Sequence, residues 1–143
     1  MANPSETAAA RAGFTLLELM VVLAILGLLA FVAAPPVLRY LGTAQQETAR
    51  IQLQSLGTAI DLFRFEVGRY PTTQEGLQAL LTRPAGADRW NGPYLTKREM
   101  ILDPWKRPFN YRGPGQHGAY DLWSFGADGQ QGGEGENRDV VSW

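Results

Sequence analysis

The sequence predicts an α+β fold in which one long N-terminal helix packs on a small antiparallel sheet. Three observations predict it. Residues 14–34 form an unbroken apolar run, residues 37–67 carry apolar side chains at helical spacing, and two short strand-like segments, 109–112 and 119–125, flank a cluster of turn residues. At 143 residues the chain has room for one domain of about 100 residues beyond the first of these segments.

The run FTLLELMVVLAILGLLAFVAA contains no Lys or Arg and a single acid, Glu18. At about 1.5 Å per residue, a helix of this length matches the roughly 30 Å of hydrocarbon in a bilayer. A buried core helix is the plainer reading, but a run this long suits lipid better than the core of so small a domain. Glu18 is then the anomaly, because a carboxylate at the bilayer centre costs about 2 to 3 kcal/mol unless something pairs with it. The residues before the run are short and polar, with Arg11 and then Gly13 at the junction. A secretory signal peptide places its small-residue cleavage site after the apolar region, where Ala33, Ala34 and Pro35 make a poor version of it. Cleavage after Gly13 would instead keep the apolar segment and free an α-amino group at Phe14. That amine would lie one helical turn from Glu18, as its counter-ion.

Gly13-Phe14-Thr15-Leu16-Leu17-Glu18 resembles the prepilin-peptidase site of type IV pilins and type II secretion pseudopilins. The resemblance implies a leader, residues 1–13, removed after Gly13, and N-methylation of Phe14. It also implies that Glu18 pairs with the Phe14 amine of a neighbouring subunit during assembly. Residues 14–36 then form the transmembrane and assembly helix, and residues 37–143 a periplasmic domain.

Pro35-Pro36 stands where this helix leaves the apolar run, so a kink is expected there. From 37 to 67, Ala49, Leu53, Leu56, Ile60, Phe63 and Val67 recur in alternating steps of four and three and define one apolar face. Gln45, Gln46, Glu47, Arg50, Gln54 and Asp61 define a polar one. The apolar face is expected to pack on the chain's own domain; a coiled-coil seam is disfavoured by its short length and by Gly57. Gly68 and Pro71 end the helix. Thr72 and Glu75 read as a capping box opening a short helix to about Leu81, stopped by Arg83-Pro84. Residues 83–108 are irregular and anchored by aromatics. Phe109–Arg112 and Ala119–Phe125 read as strands joined through residues 113–118.

Gly68-Arg69-Tyr70-Pro71-Thr72-Thr73-Gln74-Glu75-Gly76-Leu77, Asp103-Pro104-Trp105, Pro114-Gly115-Gln116-His117-Gly118 and Gly126-Ala127-Asp128-Gly129 extend the likeness over nearly the whole chain. They are similar to motifs of the major pseudopilins and distinguish it from type IV pilins, which usually carry a C-terminal cysteine pair. Lys106 and the Val141-Ser142-Trp143 ending depart from that pattern.

Residues 126–139, GADGQQGGEGENRD, hold five glycines and four acids. Carboxylates and inward-curled carbonyls suit Ca²⁺, which takes six to eight oxygens, but the EF-hand pattern does not fit and composition equally suits a solvated loop. The resemblance implies calcium in a loop over 125–139. By motif, Asp128 and Asp139 match ligands, with the Phe125 carbonyl, Glu136 and Asn137 as further oxygen donors.

A net charge of -1 gives no basic face for nucleic acid, and the absence of cysteine excludes disulfides and thiolate metal sites. His117, the one histidine, sits in a glycine-rich turn with no nucleophile beside it. An enzyme is therefore not expected. Trp90, Trp105, Trp123 and Trp143 are expected to build the core. The expectation is a major structural subunit of a secretion pseudopilus, single-pass in the inner membrane, that drives folded proteins through the outer membrane. Its implied partners are further copies of itself in a homopolymer, prepilin peptidase, minor pseudopilins, the inner-membrane assembly platform and, before assembly, membrane lipid. The alternatives are an anchored periplasmic calcium-dependent binding domain and a minor pseudopilin or type IV pilin subunit.

Overall fold

The structure, a computed structural model, describes residues 13–143, with only the helical backbone at 35–39. Arg11 and the rest of the leader lie outside the described residues. One helix, α1, runs Leu16–Val67, and Pro35 and Pro36 fall inside it without ending it. The chain divides after Val37 into two compact units.

In the first unit the helix is apolar on all sides. Leu16–Ala34 has a mean hydropathy of 2.8 and none of it is buried. Large side chains such as Phe14, Leu16, Leu28 and Phe31 face outward. A helix apolar all round has no solvated face and suits a membrane or a bundle of its own kind.

The second unit begins with the amphipathic part of α1. Ala49, Leu53, Leu56, Ile60 and Phe63 are buried, and Val67 packs against them, so the face read from their spacing is the one that meets the domain. Gly68 then takes a left-handed φ of 89° and donates its N–H to the Arg64 carbonyl at 2.8 Å, which closes the last turn. The Thr72–Glu75 capping box forms reciprocally: Thr72 N–H donates to Glu75 at 2.8 Å and Glu75 N–H to the Thr72 hydroxyl at 3.2 Å. The helix that follows, Gly76–Leu80, is 3₁₀ and not α, yet it still buries Leu77, Ala79 and Leu80. Five residues before Arg83-Pro84 leave too little length for a sustained α-helix.

The irregular stretch is fastened as expected by its aromatics. Trp90 donates its indole N–H to the Ala79 carbonyl at 2.9 Å, and Tyr94 packs edge-on against Phe63 and gives its hydroxyl proton to Glu66 at 2.5 Å. Asp103 is buried and organises the next turn. Its Oδ1 accepts the N–H groups of Trp105 and Arg107 at 3.0 and 2.9 Å, and its Oδ2 accepts the Ser124 hydroxyl at 2.6 Å.

The sheet has three antiparallel strands in the order β1 (Asn110–Arg112), β2 (Asp121–Ser124) and β3 (Val140–Val141). The first two are shorter than the sequence suggests, and β3 is an addition. Two residues give no periodicity to read, and Val140 gains its place by pairing with Ser124 and burying its side chain. On β2, Leu122 and Ser124 point to the core while Trp123 points away. This corrects the expectation for the tryptophans: Trp90 and Trp105 pack on the core, whereas Trp123 and Trp143 are outside it.

Candidate functional site

Two regions carry the residues singled out from sequence. At the N-terminus, Thr15 and Glu18 form a second capping box. The Thr15 N–H and hydroxyl donate to Glu18 Oε2 at 3.0 and 3.2 Å, and Glu18 N–H donates to Thr15 Oγ1 at 3.1 Å. The carboxylate thus sits at the positive end of a helix with its donors supplied locally. Gly13 and Phe14 precede this cap, both exposed, Phe14 by 87%. The Gly13–Phe14 bond therefore lies open beside the start of the helix. The sequence offered Thr15-x-x-Glu18 as a capping signal as plainly as Thr72-x-x-Glu75, and the lipid-cost reading of Glu18 overshadowed it.

At the other end, residues 126–139 fold back on themselves. Glycines 126, 129, 132, 133 and 135 all have positive φ, and Ala127 N–H donates to the Glu136 carbonyl at 3.0 Å. A side chain at Gly126 or Gly133 would run into the Asn137 carbonyl, so these two positions permit the close return of the chain. Asp128 accepts the Gln130 N–H at 3.0 Å, and Asp139 Oδ2 accepts the Gly132 N–H at 2.9 Å. Asp139 Oδ1 is buried without a hydrogen-bond partner. The Glu136 side chain turns toward Gly42 on α1, while Asn137 lies in the 3₁₀ turn Gly135–Asn137. Among the described residues no three acidic or imidazole side chains converge on one point.

Two features of this region were not read from sequence. Gln46 of α1 donates to the carbonyls of Glu136 and Arg138 at 3.0 and 2.8 Å, pinning the loop to the helix. Arg107, aimed by the Asp103 turn, donates to the Gly126 carbonyl and lies against Gly129. Neither contact leaves a trace in local sequence, because the partners are 92 and 19 residues apart for the Arg138 and Gly126 carbonyls.

His117 stacks on Trp143 at 4.1 Å, 5° from parallel, and its Nδ1 lies 3.4 Å from buried Asp121. Burial pushes the Asp121 carboxyl up, but the N–H groups of Gln116 and His117 outweigh this and hold it below its ordinary value.

Comparison with known proteins supplies the context for both regions. Residues 36–143 match the family profile described as type II secretion system (T2SS), protein G, and residues 9–34 match the prokaryotic N-terminal methylation motif. The chain is 38% identical over 136 residues to a type II secretion system core protein G of Pseudomonas aeruginosa, covering 93% of this chain and 95% of that one. It is 40% identical over 134 residues to the protein of that name in Vibrio cholerae, covering 92% and 90%. A crystal structure of the major pseudopilin from the type 2 secretion system of enterohaemorrhagic Escherichia coli superimposes with a TM-score of 0.61 at 29% identity, over 76% of this chain and 95% of that one.

Proposed function

The chain belongs to the type II secretion system protein G family, and on that premise we propose that it is the major structural subunit of a type II secretion pseudopilus. One observation carries the reading: an N-terminal methylation motif over 9–34 and a protein G domain over 36–143 occupy a single chain. The subunit is anchored in the inner membrane by Leu16–Ala34 with its domain in the periplasm. After removal of residues 1–13 and methylation of Phe14, it polymerises into a filament that drives folded proteins through the outer membrane. Its partners are prepilin peptidase, other copies of itself, minor pseudopilins and an inner-membrane assembly platform. Its role is structural, not catalytic.

The outward face of the second unit supports polymerisation by helix packing. Leu41, Ala44, Thr48, Ile51, Ser55, Thr58, Leu62 and Phe65 are separated by alternating steps of three and four, all are exposed and none is charged. The hydroxyls of Thr48, Ser55 and Thr58 are turned back onto the carbonyls of Ala44, Ile51 and Gln54 at 2.8, 3.1 and 3.1 Å. Their outward surface is therefore methyl and methylene. A seam with this spacing accepts another helix at a shallow crossing angle.

Calcium belongs to the same proposal. Support comes from the unpartnered Asp139 Oδ1 and from glycines that let the loop turn carbonyls inward. Asp128 and Asp139 would supply carboxylates, and backbone oxygens, including that of Phe125, the rest. Glu136 fits less well, since its carboxylate turns toward Gly42 on α1 and its carbonyl already accepts from Ala127 and Gln46.

The test of the filament reading is the intact mass of the protein from host inner membranes, with and without prepilin peptidase. Loss of residues 1–13 with gain of one methyl group is expected only when the peptidase is present. Persistence of the full chain in both, or cleavage beyond Ala34, would overturn it.

A further inference from the structure

The outer side of the sheet carries a second aromatic group that the core does not use. Trp123, Phe125, His117 and Trp143 belong neither to the buried cluster nor to the side chains packed on it. They contact one another instead. Trp123 meets Trp143 edge to face at 6.4 Å and Phe125 at 6.1 Å, and His117 stacks on Trp143. Together they wall a cleft of about 280 Å³, close to the roughly 300 Å³ at which small-molecule pockets begin. Trp143 remains 51% exposed, so indole surface is open to a ligand.

Apart from Val141, the rest of the lining is polar in a way that packing does not require. Gln116 and Gln131 border the cleft, and among the described residues neither carboxamide makes a hydrogen bond. Each offers two donors and an acceptor. Asp139 closes the same cleft. Arg112 is its one arginine, and that guanidinium already lies over the Trp123 ring at 5.8 Å. Among the described residues lining the cleft, Arg112 is the only Lys or Arg, too little to hold a phosphate. A purely apolar guest would leave the two carboxamides desolvated without partners, at a cost.

A ligand that presents C–H bonds on one face and hydroxyls at its rim meets both halves of this lining. We propose that the cleft is a saccharide-binding site, with one sugar ring lying against the Trp143 indole and its hydroxyls hydrogen-bonded by Gln116 and Gln131. The volume admits one or two rings, so an oligosaccharide would bind through an end or a single unit.

The experiment is isothermal titration calorimetry on the full chain in a zwitterionic detergent without sugar headgroups, using chitotriose and, separately, cellotriose to about 10 mM. Saturable binding of at least one is expected. Trp143→Ala, and the double variant Gln116→Ala with Gln131→Ala, should each weaken it about tenfold or more, while Met100→Ala on another face leaves it unchanged. Both carboxamides are exposed and unpartnered, and alanine keeps the Gln116 N–H that donates to Asp121, so their removal spares the fold. Absence of saturable binding by either sugar would overturn the proposal. So would affinity that survives the double glutamine variant, or binding of indole but of neither trisaccharide.

Discussion

Thr15 and Glu18 satisfy each other at the first turn of α1, through three hydrogen bonds between 3.0 and 3.2 Å. Glu18 therefore has a local duty, which can be separated by substitution from the pairing with a neighbouring subunit's Phe14 amine that we propose for it. Gln serves at the third helical position of a capping box, whereas Ala does not.

Glu18→Gln should keep the helix start but lose the charge, and Glu18→Ala should lose both. Both variants are expected to fail in pseudopilus assembly and secretion. Cross-linked ladders from whole cells provide the measurement. Wild-type ladders from Glu18→Gln would show that the cap, and not the carboxylate charge, is what assembly needs.

On the outward seam of α1, Leu62→Asp and Phe65→Asp should cost the isolated subunit no more than about 0.5 kcal/mol, because both side chains are exposed. The same substitutions should strongly reduce filament formation. Thermal denaturation paired with filament yield separates the two effects, and normal yield would remove the seam from the assembly model.

Calcium should raise the melting temperature of the full chain in detergent, and EDTA should lower it. At about one hundred times Kd, binding to the folded state alone is worth about 2.7 kcal/mol. Asp139→Asn should abolish most of the calcium response. A melting temperature indifferent to both calcium and EDTA would rule out the ion.

Arg69 grips Glu75 with two bonds of 2.7 Å and holds its carboxyl down from 4.5 to about 2, with burial opposing and the Thr72 N–H assisting. A carboxyl depressed in the folded state stabilises above its unfolded value and loses that contribution as pH falls through the folded one. Stability should therefore decline between about pH 4.5 and pH 2. Glu75→Gln should flatten that part of the pH profile, measured by denaturant titration, while retaining much of the capping box.

Ser124→Ala should cost about 2 kcal/mol, since it leaves the buried Asp103 carboxylate short of its hydroxyl donor. Asp103→Ala should cost more, because it frees the Trp105 and Arg107 N–H groups as well. Chemical denaturation reads both.

Where a residue's role follows from its near neighbours in sequence, the sequence disclosed it, with the Thr15–Glu18 cap as the exception. The apolar run, the buried face from Ala49 to Phe63, the Gly68 cap and the Thr72 box each have a period or spacing of a few residues. β3 did not, because two valines become a strand only when Ser124 and Trp123 stand beside them. The uncharged seam was hidden for a different reason. Thr48, Ser55 and Thr58 read as polar until their hydroxyls are seen bonded to the helix itself. Trp123 and Trp143 were assigned to the core by residue type, and strand alternation sent Trp123 the other way. In the loop, the glycines and Asp residues were legible, but Arg107 and Gln46 arrive from elsewhere in the chain.

Gln46 gives the second unit a mechanical property. One carboxamide rivets the carbonyls on either side of Asn137 to the helical shaft. Torque on the shaft is then carried into the tip of the loop instead of being lost in slack chain, and a load on the loop is returned to the shaft at the same turn. A filament subunit under thrust needs such stiffness, and here it rests on a neutral side chain whose grip ionic strength and pH leave untouched.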